Sequence, residues 1–403
     1  RTPTLAPGRA THAAARPLGV VSCNDSERGA RAAEHLATAG VVPAVIGFRS
    51  GVEAIELAST WFIPHGVLSF SATSTNPLLT RLPHPPGVPR LVFRTTYSSA
   101  ATAEALAAFT APAVEARRTP GARRREPLRL ALVRPASAVG AAFAVALSTA
   151  LTAEGYATTD EARYLDATFD TDGPGAEASY GRTLEALRRL MPDVVYFAGG
   201  RSAVVGILRE LERGWPPRAG HRPLYMSLAP IGSNLLELVG DDGERRRRVF
   251  GVTTAGNPAV GARFLRRYRE AFPEDAVSRT SAPDTAYDAM YAAVYASYAV
   301  PAAEPVTGAA LSRALRRLGP GGPTVEVGLV GVFDAFRVLS GGGTIDLVGA
   351  SGPLDLDDAT GEAPSDQVIL CVARGPDGRL EGREAGVVYR TAERRLAEDL
   401  RCP

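Results

Sequence analysis

Residues 41–80 read VVPAVIGFRSGVEAIELASTWFIPHGVLSFSATSTNPLLT, and the order of apolar runs and breaks in this stretch decides the fold. Residues 41–46 are short, apolar and β-branched and stop at Gly47, the pattern of a parallel strand covered on both faces. From Val52 the apolar positions Ile55, Leu57, Ala58, Trp61 and Phe62 recur at helical spacing until Pro64 stops them, and Ser50 stands where an N-cap belongs. Val67-Leu68 then opens a second strand that runs into a hydroxyl-rich turn at residues 69–77. Strand, helix and strand in direct succession predict a largely parallel α/β sheet. The turns after both strands then lie at the sheet's carboxyl edge, where ligands bind in such folds. Helix starts leave N–H groups unpaired there, so the turns suit a carboxylate or another small polar group. The same hydroxyls serve equally as plain helix caps, and the residues leave both readings open.

The alternation continues outward on both sides. Residues 18–23, LGVVSC, read as a buried strand followed by a helix to Leu36, and residues 1–16 as an unpatterned lead-in. Residues 91–95 predict a strand, 100–114 an alanine-rich helix and 115–127 a charged Pro/Gly linker. A second α/β series follows, with strands at 128–133, 192–198, 223–228 and 249–254, helices at 140–153, 182–190 and 203–213, and a polar loop at 166–179. A helix at 264–272 and a long one from Ala282 come next, then a turn at 348–357 and a strand at 368–372. Residues after Gly375 read as a tail with a short terminal helix.

A chain of 403 residues suits two lobes rather than one core, and 45% hydrophobic with 22% charged residues marks a globular protein. The 45 basic and 43 acidic residues nearly cancel, which gives no reason to expect nucleic acid as partner. Every basic residue is an arginine; with no lysine, a phosphate-binding P-loop and Schiff-base catalysis are both excluded. The five histidines are scattered, no nucleophile elbow or dinucleotide-binding turn is present, and the acidic turn at 355–362 does not match a calcium loop. The reading is therefore of a protein that is not an enzyme and carries no cofactor and no metal. There is no apolar run of transmembrane length. A Cys371–Cys402 bridge is compatible with an oxidising compartment, although their proximity is not legible from sequence.

An I-G-x-x-S turn at residues 46–50, a helix, and S-x-S-A-T-x-x-x-P-x-L-T at residues 69–80 together resemble the first-lobe binding loops of type I periplasmic solute-binding proteins, the family that includes the branched-chain amino acid binders of ABC transporters. F-R-T at 93–95, P-D-V-V at 192–195, A-Y-D-A-M at 286–290 and the turn at 348–357 resemble further family segments in the family's order. The resemblance implies two lobes, each a mostly parallel sheet flanked by helices, with a ligand cleft between them. It assigns residues 1–126 and 256–340 to the first lobe and 127–255 and 341–403 to the second. It implies an exported, periplasmic or extracellular protein that captures a small polar solute, amino acid-like or carboxylate-bearing, and delivers it to ABC transporter membrane subunits. A signal or lipid anchor would lie upstream. A sensory domain without transport and a hydrolytic α/β enzyme are the alternatives. The family's first strand and helix are not recognisable, and either precede Arg1 or have been lost.

Carried over residue by residue, the resemblance makes Ser50, Ser71, Ala72 and Thr73 ligand-binding. Two departures extend the set. Where amino acid binders place an acid before a Gly-Val strand to meet the ligand ammonium, this chain has Phe250, and after Gly199-Gly200 it has Arg201 where some members have tyrosine. Losing the acid argues against a zwitterionic amino acid. Arg201 either faces the ligand and favours an acidic one, or is a surface residue at a helix start.

Overall fold

The computed structural model describes residues 17–25, 28–48, 50–84, 86–117, 127–171, 173–216, 221–275, 277, 283–375 and 378–402. It divides the chain into two units, residues 1–98 with 255–365 and residues 99–254 with 366–403. The lead-in at 1–16 and most of the linker at 115–127 lie outside the described residues.

The first unit begins with a parallel three-stranded sheet in the order β1 (Ala44–Gly47), β2 (Leu68–Ser71), β3 (Val92–Arg94). It is small because each strand is only three or four residues long and bounded by turns. Leu68, Phe70 and Phe93 bury against helix Asp284–Ala299, whose Ala289, Ala292 and Ala296 let the helix approach closely. Val67 and Val92 bury in a second cluster with Ala54, Leu57 and Phe62 of the helical run that follows β1.

In the second unit β4 (Leu130–Pro135), β5 (Tyr164–Phe169), β6 (Val194–Phe197), β7 (Leu224–Ser227) and β8 (Val249–Thr254) form the parallel part of an eight-stranded sheet. The chain returns to the first unit for a two-stranded sheet of β9 (Thr324–Glu326) and β10 (Asp346–Val348). It then adds β11 (Gln367–Arg374), β12 (Leu380–Arg390) and β13 (Arg395–Ala397) antiparallel to the second-unit sheet, giving the order β13-β12-β11-β8-β7-β6-β4-β5. Cys371 of β11 is disulfide-bonded to Cys402, and Cys23 is free and exposed. No helix among the described residues is long and apolar enough to cross a membrane.

Five expectations are corrected. Residues 18–23 form no strand; Val20 and Val21 are 73% and 65% exposed. The polar stretch at 166–179 contains the end of β5, where alternate residues Ala167 and Phe169 are buried. The tail after Gly375 is a β-hairpin, since Ala385, Val387 and Tyr389 alternate into the core and pair β12 with β11. Helix Ser99–Glu115 belongs to the second unit, where it packs on helix Ala138–Ala153 and on β8 and β11. Residues 341–365 stay with the first unit. The first passage between units is thus at residues 98–99, and the last at 365–366.

Candidate functional site

The candidate site is the carboxyl edge of the first unit's parallel sheet. Ser50 has extended backbone and caps the helix Gly51–Leu57, its Oγ accepting from the Glu53 N–H at 3.2 Å. The first intrahelical bond runs from Ala54 N–H to Ser50 O, so the N–H groups of Gly51 and Val52 precede the ladder and point out of the helix start. Ser50 is exposed, and accepting a bond leaves its hydroxyl hydrogen able to donate.

The neighbouring turn is fixed against this helix start. A Cβ on Gly51 would stand 2.8 Å from Ser74 Oγ and 2.9 Å from Asn76 Cβ, so only glycine admits the approach. Ala72 N–H donates to Gly47 O at 3.0 Å, and Thr73 Oγ1 donates to Phe48 O, which ties the end of β2 to the end of β1. Ser71 is fully buried, and its Oγ accepts from Ser74 N–H at 3.3 Å. Ala72 is buried while Thr73 is exposed. Ser50 and Thr73 therefore lie at the surface of one edge, with Ser71 and Ala72 beneath them as its frame. Thr73 has spent its hydroxyl hydrogen on Phe48 O and can only accept from a ligand, which alters the expectation that both hydroxyls hold an anion.

Residues not singled out in the sequence set this geometry. Thr285 Oγ1, at the start of helix Asp284–Ala299, donates to Ala72 O at 2.6 Å, while Thr95 Oγ1 donates to Thr285 O at 2.7 Å. Arg94, 2% exposed, donates to Asn76 O at 3.0 Å and Thr80 Oγ1 at 2.7 Å and pairs with Glu362 at 2.8 Å, holding the turn from below. Burial lowers the Arg94 pKa and the Glu362 carboxylate opposes that shift. One turn along the same helix, buried Asp288 accepts from Ala350 N–H, Ser351 N–H and Ser351 Oγ. A polar residue three or four positions from another on a helix is visible in a sequence, but its partner 60 or 200 residues away is not.

Arg201 and Phe250 lie in the second unit. Arg201 is exposed at a helix start and pairs with Glu237 at 2.8 Å, which is the surface reading of that residue. Phe250 is corrected: it is 0% exposed on β8, edge-on to Phe109, with the Arg117 guanidinium over its ring. It is a core residue of its unit, because β8 is covered on both faces and its side chains have no open side.

As a direct check on the cap, Ser50→Ala is expected to lower the unfolding free energy by about 1 kcal/mol and Ser50→Gly by only a few tenths, measured by urea denaturation. No measurable loss for Ser50→Ala would mean that the Ser50–Glu53 bond contributes nothing.

The family profile described as periplasmic binding protein matches residues 22–331, more than half of the chain. The chain belongs to the periplasmic binding protein family. Among curated proteins no match is found. Solved structures with the same fold include a leucine-binding protein, LivK, of Thermotoga maritima, 17% identical, with 89% of this chain and 84% of that one covered and a TM-score of 0.58. An ABC transporter substrate-binding protein of Desulfitobacterium hafniense in complex with Leu is 18% identical over 92% of this chain and 90% of its own, at TM-score 0.57. An ABC transporter solute-binding protein of Rhodopseudomonas palustris BisB5 in complex with 3,4-dihydroxybenzoic acid is 15% identical over 93% and 84%, at 0.58. The expected type I fold is thus the fold of this periplasmic binding protein, and the family places it outside the cytoplasm.

Proposed function

We propose that the protein captures a small carboxylate-bearing solute on the wall formed by Ser50 and Thr73 over Ser71 and Ala72, and delivers it to ABC transporter membrane subunits. The observation that carries this reading is the donor set at the helix start: the Ser50 hydroxyl with the N–H groups of Gly51 and Val52, at the carboxyl edge of a parallel sheet. Such a start stabilises negative charge through the helix dipole and unpaired donors. The ligands named for two neighbours, leucine and 3,4-dihydroxybenzoic acid, share a carboxylate and little else.

The test is a thermal-shift series with L-leucine and 3,4-dihydroxybenzoate, followed by titration of whichever raises the melting temperature, since a ligand that binds only the folded state stabilises it. Ser50→Gly removes the hydroxyl at a cost of only a few tenths of a kcal/mol in helix stability, so affinity is expected to fall by about 1.5–3 kcal/mol, tenfold or more, without loss of fold. A Kd within twofold of wild type would remove Ser50 from the site, and consumption of the compound would end the binding-protein reading.

A further inference from the structure

Single exposed apolar side chains are ordinary on a protein surface, but a run of them is not. In the first unit Leu329 is 69% exposed, Val330 87% and Phe333 65%, three large apolar residues in one short stretch. They stand outside because the inward positions around them are already filled. Val325 and Val327 bury in and just after β9, and helix Val332–Ser340 buries Ala335, Phe336 and Leu339 in the same core. Two glycines fix the turn that joins β9 to this helix. Gly328 has a φ of +123°, and a Cβ on Gly331 would stand 2.8 Å from Val325 Cγ1. The apolar tip is therefore preformed. Its surroundings are basic. Leu329 and Val330 line one crevice with Arg263, Arg267 and Tyr287. The nearest acids are neutralised, Glu326 by Arg263 and Asp334 by Arg337. Arg266 and Arg267 make no ion pair among the described residues, and Glu270, the one acid of their helix Pro258–Ala271, lies in its last turn.

We propose that this tip is a docking point for an anionic phospholipid surface, with Leu329, Val330 and Phe333 entering the acyl boundary and Arg266 and Arg267 meeting the phosphates. Size and charge together favour this occupant. A stable protein interface takes about 800 Å² from each partner, whereas three such side chains offer roughly 500 Å² at most, and the ion pairs beside them are already closed. A lipid layer moulds itself to a protruding tip and needs no matching recess. A second copy docking here about a two-fold axis would set Arg266 and Arg267 of one chain against those of the other, like charge against like. The proposal goes beyond solute capture and holds whatever the Ser50 wall binds.

Co-sedimentation of the full chain with phospholipid vesicles tests it. The protein is expected to bind vesicles of phosphatidylcholine with about one third phosphatidylglycerol, to bind pure phosphatidylcholine about tenfold more weakly or less, and to release as salt screens the charge. Val330→Asp changes an 87% exposed position outside the core, so the melting temperature is expected to hold while vesicle binding falls by about tenfold or more. Arg266→Gln with Arg267→Gln is expected to weaken binding by about 25-fold, at about fivefold for each charge. Emission of Phe333→Trp is expected to move to the blue on adding anionic vesicles, relative to the wild type with Trp61 and Trp215 alone. Binding no stronger than that to pure phosphatidylcholine overturns the proposal, and so does binding that Val330→Asp leaves within twofold. Dimers that form without lipid and are abolished by Val330→Asp also overturn it, in favour of a second copy.

Discussion

Replacing Arg248 by methionine is expected to cost about 3–5 kcal/mol of unfolding free energy, because it leaves a buried carboxylate without its main partner. Glu212 is 5% exposed. It accepts two bonds from Arg248, at 2.8 and 2.9 Å, one from Tyr225 Oη at 2.7 Å and one from Arg222 at 3.0 Å. Arg248 is itself buried and donates further to Pro223 O and Glu244. Burial alone would raise the Glu212 pKa, but the hydrogen bonds and charge of Arg248 bring it below the ordinary carboxylate value, while the same pairing raises Arg248. Glu212 thus adds stability above its unfolded pKa that is lost as pH falls through the lower folded one. The pair as a whole stabilises far less than its breakage costs. The double change Glu212→Leu with Arg248→Met is therefore expected to recover most of the loss, which a urea-denaturation cycle measures. A single-mutant cost below 1 kcal/mol would show that water reaches Glu212.

A second large effect, of opposite pH sign, is expected at Asp288. Burial pushes its carboxyl up to about 7, against the opposing pull of three hydrogen bonds from Ser351 and Ala350. A folded pKa above the unfolded 3.8 means that the folded state holds the proton more tightly. Stability from this group is then fully present below about pH 4, falls as pH rises towards 7 and is level above that. Three pKa units correspond to at most about 4 kcal/mol. Comparing wild type with Asp288→Asn from pH 4 to 8 isolates the group: the stability difference is expected to change by a few kcal/mol across that range. Parallel profiles would mean that the three donors outweigh burial and Asp288 stays ionised throughout.

The elements that a sequence reveals here are those specified locally. β1 and β6 are short apolar runs closed by glycine turns, β2 alternates Leu68 and Phe70 with serines, and the helix after β1 has its cap and its apolar spacing in consecutive residues. What escaped detection depends on distant partners. Helix Ser99–Glu115 is apolar nearly all round, with eight buried residues, so nothing in its pattern says which unit covers it. β12 mixes charged residues with buried ones, and only its pairing with β11 distinguishes an edge hairpin from a tail. At the candidate site Ser50 and Thr73 were legible as hydroxyls at strand ends, whereas the direction of each hydrogen bond was not. Phe250 shows the limit of reading by aligned position: the place held by an acid in amino acid binders is here filled from within the core.

The Cys371–Cys402 bridge has a mechanical consequence. A pull applied to the chain beyond Cys402 does not unzip β13 and then β12 from the sheet edge. It is carried across the sulfurs to Cys371, within the run of β11 that is hydrogen-bonded to β8 on one side and β12 on the other. The load then meets many backbone bonds in shear instead of one at a time, and the hairpin between the two cysteines hangs outside the force path. Reduction of the bridge restores the peeling route, so rupture force under a reductant reports how far this one bond shields the edge.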